Sequence, residues 1–141
     1  MNVTVAKSAG FCFGVKRAID TVYQEIEKGE KVFTLGPIIH NEQVVQELEE
    51  KGVQVINSIE ELADIKDGTV VIRSHGVSEQ VIRQLEKYDI KIVDATCPFV
   101  SKIHRIVQEK YREGFQIVII GNRTHPEVDG INGWCENSAI V

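Results

Sequence analysis

The chain is predicted to be an α/β protein, built on a parallel-type sheet with helices on both faces. Three observations predict this. Short apolar runs of strand length alternate with longer stretches whose apolar residues recur at helical spacing. Glycines and polar capping residues mark where those stretches stop and start. Cysteines, histidines and a glutamate fall where strand runs give way to helices. A repeating βα order implies parallel strands joined by crossover helices.

Taken in order, Val3–Ala6 reads as a strand. Val15–Lys28 reads as a helix with Ala18, Ile19, Val22 and Ile26 on one face, ended by Gly29. Val32–Leu35 is the next strand. Glu42–Lys51 is a helix, with Asn41 as N-cap and Gly52 as stop. Val53–Ile56 is a short strand. Ser58 and Glu61 form the pattern of a capping box, so a short helix is expected to about Ile65. Thr69–Ile72 is a strand, Ser78–Lys87 a helix, Ile90–Val93 a strand and Pro98–Arg112 a helix. Gln116–Ile120 is a strand, Glu127 opens a short helix and Ala139–Val141 reads as the start of a further strand. The expected division is a first α/β unit over 1–95 and the beginning of a second over 96–141, with the chain the N-terminal part of something longer.

Composition limits the function classes. The 141 residues are 43% hydrophobic and 26% charged, with a net charge of −5. An acidic chain gives non-specific nucleic-acid binding no electrostatic support, so no nucleic-acid partner is expected. No apolar run approaches the length of a membrane span, and the N-terminus lacks a signal-peptide pattern. Cys12, Cys97 and Cys135 are odd in number and form no C-x-x-C pair. That argues for reduced thiols and a cytoplasmic setting rather than a disulfide framework.

Ligands of open α/β sheets bind beyond the carboxyl ends of the strands. The segments expected there carry Cys12, His40, His75, Cys97, His125 and Glu127. A cysteine just before a helix lies where unpaired N–H groups and the helix dipole favour the thiolate, the metal-binding form. Proline at the first helical position preorganises that start, as in Cys97-Pro98 and His125-Pro126. Diphosphate groups also prefer such positions, and three imidazoles could donate to one. Singly, each residue has a plainer explanation: a small buried thiol, a satisfied loop imidazole, a glutamate in a first helical turn. Their coincidence at one edge favours a site. Two residues stand outside it. His104 lies mid-helix and is expected exposed or partly buried. Cys135 follows a short helix and is expected to be a buried apolar residue.

The segments "GFCFGVKRAI" (10–19), "HN" (40–41), "SHGV" (74–77), "DATCP" (94–98) and "THPEV" with "GW" (124–134) resemble, in order and spacing, the LytB/IspH family of reductases. The resemblance covers the whole chain. It implies three similar α/β units around an iron–sulfur cluster, of which this chain would hold the first and part of the second. It implies a [4Fe–4S] cofactor with Cys12 and Cys97 as ligands, and a third cysteine beyond residue 141. It assigns His40, His75 and His125 to the diphosphate of an allylic diphosphate substrate and Glu127 to proton delivery. The implied reaction is reductive dehydroxylation of 4-hydroxy-3-methylbut-2-enyl diphosphate to isopentenyl and dimethylallyl diphosphate, with ferredoxin or flavodoxin as electron donor. The 141 residues alone would then be inactive. Two rival readings use the same residues: a non-catalytic zinc or iron module of Cys12, Cys97 and a histidine, or a thiol redox protein with Cys97 as nucleophile. Zinc sites usually pair their ligands locally, and no resolving cysteine stands near Cys97.

Overall fold

The computed structural model describes all 141 residues apart from the side chain of Asp64. Four strands, β1 (Val32–Leu35), β2 (Gln54–Ile56), β3 (Thr69–Ile72) and β4 (Lys91–Asp94), form one sheet in the order β2-β1-β3-β4. All three pairings are parallel, with Phe33 opposite Val70 and Val70 opposite Ile92. The helices are α1 (Phe13–Glu27), α2 (Glu42–Glu50), α3 (Glu79–Leu85), α4 (Pro98–Arg112) and α5 (Pro126–Asn132), with 3₁₀ turns at Glu60–Asp64 and Gly133–Cys135.

The runs Val32–Leu35 and Thr69–Ile72 are buried throughout, because both faces of the sheet are covered. Alternate side chains serve opposite faces. Val32 and Val71 pack with Ala18 and Val22 of α1, Leu48 of α2, and Ile38 and Ile39. Phe33, Leu35, Val70 and Ile72 pack with Leu62 of the first 3₁₀ turn, with Leu85 of α3 and with Val77 just before that helix. A smaller third cluster joins Val107 of α4, Ile131 of α5 and Cys135. The α/β class with helices on both faces is therefore what the chain adopts.

Local capping signals hold where they are purely local. The Asn41 side chain accepts from Val44 N–H at 3.0 Å, and Ser78 Oγ from Val81 N–H at 3.3 Å. Glu61 Oε1 accepts from the N–H groups of Asn57 and Ser58, the reciprocal half of the capping box, although the helix it starts is a 3₁₀ turn.

Three expected strands differ. Val3–Ala6 has no regular structure, and Val3 and Val5 are 76% and 77% exposed. The alternating pattern is present, but no described residue pairs with this segment, and a strand exists only through its neighbour. Gln116–Ile120 and Ala139–Val141 meet in a single parallel bridge, Val118 with Ile140. Two short segments with no third strand make a marginal ladder.

One buried charge ties this architecture together. Glu25 of α1 is 4% exposed and accepts from Lys28 Nζ at 2.5 Å and Lys91 Nζ at 2.6 Å, the latter joining α1 to β4. These bonds, first from Lys28 and then from Lys91, hold its carboxyl below the ordinary range. A depressed carboxyl stabilises the fold above its unfolded pKa and loses that contribution as pH falls through the folded one. Glu25→Gln is therefore expected to lower the urea midpoint at pH 7 and to approach wild type as the solution is acidified below about pH 4. A deficit that stays constant through that acid limb would contradict the coupling.

Candidate functional site

The chain runs from β1 outward to β2, then crosses back over β1 to β3 on its other side. The carboxyl ends of β1 and β3 therefore flank a topological switch point, where connections diverge and leave a crevice. The segment after β1 ends in His40, next to the N-cap Asn41 of α2. The segment after β3 is Arg73-Ser74-His75-Gly76. Ser74 N–H donates to the Ile38 carbonyl at 3.1 Å and holds the two segments side by side.

The outcome is an imidazole cluster. Ring centroids of His40 and His75 lie 4.2 Å apart, those of His40 and His125 5.4 Å, and those of His75 and His125 6.0 Å. His125 is brought in by α5, whose Gly130 packs against the backbone carbonyls of His75 and Gly76. His125 caps its own helix: its Nδ1 accepts from Glu127 N–H at 3.2 Å. Nδ1 is thus the acceptor, and in the neutral ring the proton sits on Nε2, free to donate. His40 and His125 are exposed, while His75 and Glu127 are half-buried.

His75 is held uncharged near neutral pH. Burial first, then His40, Arg73 and His125, push its pKa down to about 4. Its Nδ1 is buried and has no partner among the described residues. A fixed positive charge acts on it from Arg73, half-buried, its guanidinium pressed against Gly36 at the end of β1. Gly36 has φ 71, and a Cβ there would sit 2.5 Å from Nη1, so glycine meets both the backbone and the space requirement.

The two cysteines occupy equivalent positions. Cys12 is the N-cap of α1 and Cys97 the N-cap of α4, each before a 15-residue helix. Their carbonyls accept the first helical bonds, from Lys16 and Ser101, both at 2.9 Å. Neither thiol makes a capping hydrogen bond, Cys12 is exposed and Cys97 half-buried. Both thiols are thus left for other use. The segments that carry them are also drawn together. A Cβ on Gly14, two residues after Cys12, would overlap Cys97 Sγ. Arg17 of α1 reaches across the strand order, donating to the carbonyls of Thr96 at 2.9 Å and Asp94 at 3.3 Å. Cys97 N–H donates to the Ser74 carbonyl at 2.9 Å, which binds the cysteine loop to the histidine loop. This arrangement suits a group that takes thiolate ligands from converging helix starts. Among the described residues, no three histidine, cysteine or carboxylate side chains gather closely enough to hold a metal ion by themselves.

Some residues were not foreseen. Arg17 reads as one more surface cation in "VKRAI"; the only signal is its place one turn into the helix behind Cys12. His104 is buried rather than exposed or partly buried. Cys135 is buried, as expected, its Sγ 3.2 Å from the Asn132 carbonyl.

Fold and site together define a doubly wound α/β unit with an imidazole-lined crevice and thiols at two helix starts. The sequence profile of the LytB protein family matches residues 3–141. The 4-hydroxy-3-methylbut-2-enyl diphosphate reductase of Thermoanaerobacter sp. (strain X514) is 54% identical over 144 residues, covering 100% of this chain and 50% of that protein. The protein of the same name from Clostridioides difficile (strain 630) is 50% identical, with the same shares covered. The solved E-1-hydroxy-2-methyl-but-2-enyl-4-diphosphate reductase of Plasmodium falciparum superposes with a TM-score of 0.87 at 35% identity, over 96% of this chain and 42% of that one. A solved (E)-4-hydroxy-3-methyl-but-2-enyl diphosphate reductase, described as the terminal enzyme of the non-mevalonate pathway, gives 0.80 at 42% identity, over 99% and 50%. The chain belongs to the LytB family. It spans about half the length of the curated relatives it matches. No helix among the described residues is long and apolar enough to cross a membrane.

The imidazole cluster gives a direct expectation. An unfolded histidine protonates near pH 6.5, whereas His75 and His104 do so only near 4. Acid between those values therefore favours the unfolded chain. In a proton NMR titration of the imidazole resonances, His75 and His104 are expected to remain uncharged at pH 6. A midpoint at pH 6 or above for either would contradict its burial.

Proposed function

We propose that this chain is the part of a 4-hydroxy-3-methylbut-2-enyl diphosphate reductase that grips the diphosphate and supplies two of the three cysteine ligands of a [4Fe–4S] cluster. The observation that carries the proposal is the convergence of three imidazoles at the switch point, with ring centroids 4.2 to 6.0 Å apart. It sits beside a loop bearing an uncommitted thiol. In this reading residues 1–95 form a first α/β unit and 96–141 begin a second, and the third thiolate comes from outside these residues. The setting is cytoplasmic, where thiols stay reduced, and the electrons come from a ferredoxin or flavodoxin.

The residues divide the work as follows. His40, His75 and His125 donate N–H groups to the diphosphate oxygens. An uncharged His75 can donate from one ring nitrogen while the other accepts. Arg73 stands behind them as a fixed cation, so the anion is held without requiring all three rings to be charged. With its diphosphate anchored, the substrate's allylic end extends toward the thiol side. Cys12 and Cys97, as thiolates, would hold the cluster, and the Gly14 and Arg17 contacts keep their two loops together. Bound there, a [4Fe–4S] cluster would supply one electron at a time, two in all, as reductive dehydroxylation requires. Glu127, two residues after His125, gives the proton with which the substrate hydroxyl departs as water. A second proton, at carbon, completes the balance of two electrons and two protons for one water lost.

A self-contained zinc module would need three or four ligands in one place, and no such group occurs among the described residues. The enzymatic reading accommodates two cysteines because its remaining ligand lies elsewhere.

In the full-length protein, Glu127→Gln is expected to retain substrate binding and the cluster's visible absorption while losing about 10²- to 10⁴-fold in kcat, the range for a positioned general acid. Turnover equal to wild type would remove Glu127 from that role.

A further inference from the structure

Beneath the site lies a pair of rings that the proposed reaction does not use. His104 projects from α4 two turns beyond Cys97 and is 4% exposed. Its ring stacks on Trp134, centroids 5.2 Å apart and planes 21° from parallel. Trp134 is itself pinned, its Nε1–H donating to the Val77 carbonyl at 3.0 Å. The His104 ring also presses on the turn after β3: a Cβ built on Gly76 would lie 2.6 Å from His104 Cε1 and 2.9 Å from Thr96 Cγ2. Gly76, at φ 69, directly follows His75, and Thr96 directly precedes Cys97. The ring therefore packs against the turn that follows His75, at the point where that turn meets Thr96.

Filling this space needs only an apolar side chain, yet an imidazole occupies it. Its Nε2 is buried without a partner among the described residues. Burial keeps the ring uncharged, its pKa pushed down to about 4, with Asp94 opposing only in part. It therefore adds no charge to the anion crevice and acts through its shape.

We infer that His104 is a positioning residue: its planar ring, stacked on Trp134, supports the His75-Gly76 turn where it meets the Thr96-Cys97 loop and so sets the spacing of imidazole and thiol. The catalytic consequence rests on the reading given under Proposed function; the spacing itself does not. A reaction held together by such loops is sensitive to small displacements, with about 1 Å able to cost on the order of 100-fold.

Two readouts in the 141-residue chain test this role. One is the rate at which iodoacetamide alkylates each cysteine, resolved by peptide mass; the other is the set of His75 ring resonances. His104→Leu, which fills the volume without a flat face, is expected to speed alkylation of Cys97 severalfold, leave Cys12 unchanged and shift the His75 signals. His104→Phe, which keeps a flat ring against Trp134, is expected to restore both. Unchanged Cys97 labelling and His75 signals in His104→Leu would overturn the proposal, as would His104→Phe behaving like His104→Leu. Cys135, fully buried, reports folding: if it becomes reactive in both variants, the ring serves only to fold the chain and the positioning role is likewise overturned. In the full-length enzyme, His104→Leu should raise KM more than it lowers kcat, and His104→Phe should recover both. If full-length wild type shows neither cluster nor turnover, the functional reading fails, while the labelling and NMR results still decide the role of His104.

Discussion

Everything in this molecule depends on the reversal of strand order between β1 and β3. Parallel strands send all their carboxyl ends to one edge, and the reversal opens a crevice at one point along that edge. The chain places an imidazole on each lip, His40 after β1 and His75 after β3, and their rings come within 4.2 Å between centroids. Residues 35 positions apart are neighbours here because two parallel strands with aligned registers end at the same height. Had β3 been added beside β2, the two histidines would be separated by the width of two strands, about 10 Å.

A second constraint brings in the thiols. Cysteine is an unusual N-cap, and at neither α1 nor α4 does its side chain satisfy a helix N–H. Ser, Thr or Asn would serve the helices better, as Asn41 and Ser78 do at α2 and α3. The preference for cysteine at two helix starts is local stability forgone, which is common where a side chain has a task other than folding. Packing then enforces proximity. Glycine at position 14 makes room for Cys97 Sγ, Arg17 ties α1 to the carbonyls before Cys97, and the Cys97 N–H ties that loop to Ser74. The contacts form one path from Cys12 through Cys97 to His75.

What could be read from the amino-acid order follows from which forces are local. Val32–Leu35 and Thr69–Ile72 declare themselves because strands covered on both faces are continuously apolar. The helix starts at Asn41, Ser78 and Pro98 follow from capping and proline rules that need only a few neighbouring residues. The six site residues could be nominated because each falls in or beside a short segment between an apolar run and a helical pattern, although their mutual distances could not. Val3–Ala6 misleads because alternation is a property of the segment, whereas pairing is a property of a partner. On α4 two stripes share the same helical spacing, so periodicity alone does not choose between them. Phe99, Ile103 and Ile106 form the more apolar one, yet they are exposed at 70%, 40% and 47%. The face that packs inward is Val100, His104 and Val107. A polar imidazole is chosen over three apolar side chains because Gly76 leaves room for a flat ring and Trp134 provides a surface to stack on. Neither condition is visible within α4.

The account stands or falls on whether Cys12 and Cys97, 85 positions apart, share one pocket edge in solution. A short bismaleimide reacted with dilute reduced protein, followed by proteolysis and mass spectrometry, measures this without cofactor or substrate. The account predicts one dominant intramolecular link joining the peptide that carries Cys12 to the peptide that carries Cys97, unaffected by Cys135→Ala. Single additions at each thiol with no such link, or links formed only between molecules, would contradict it.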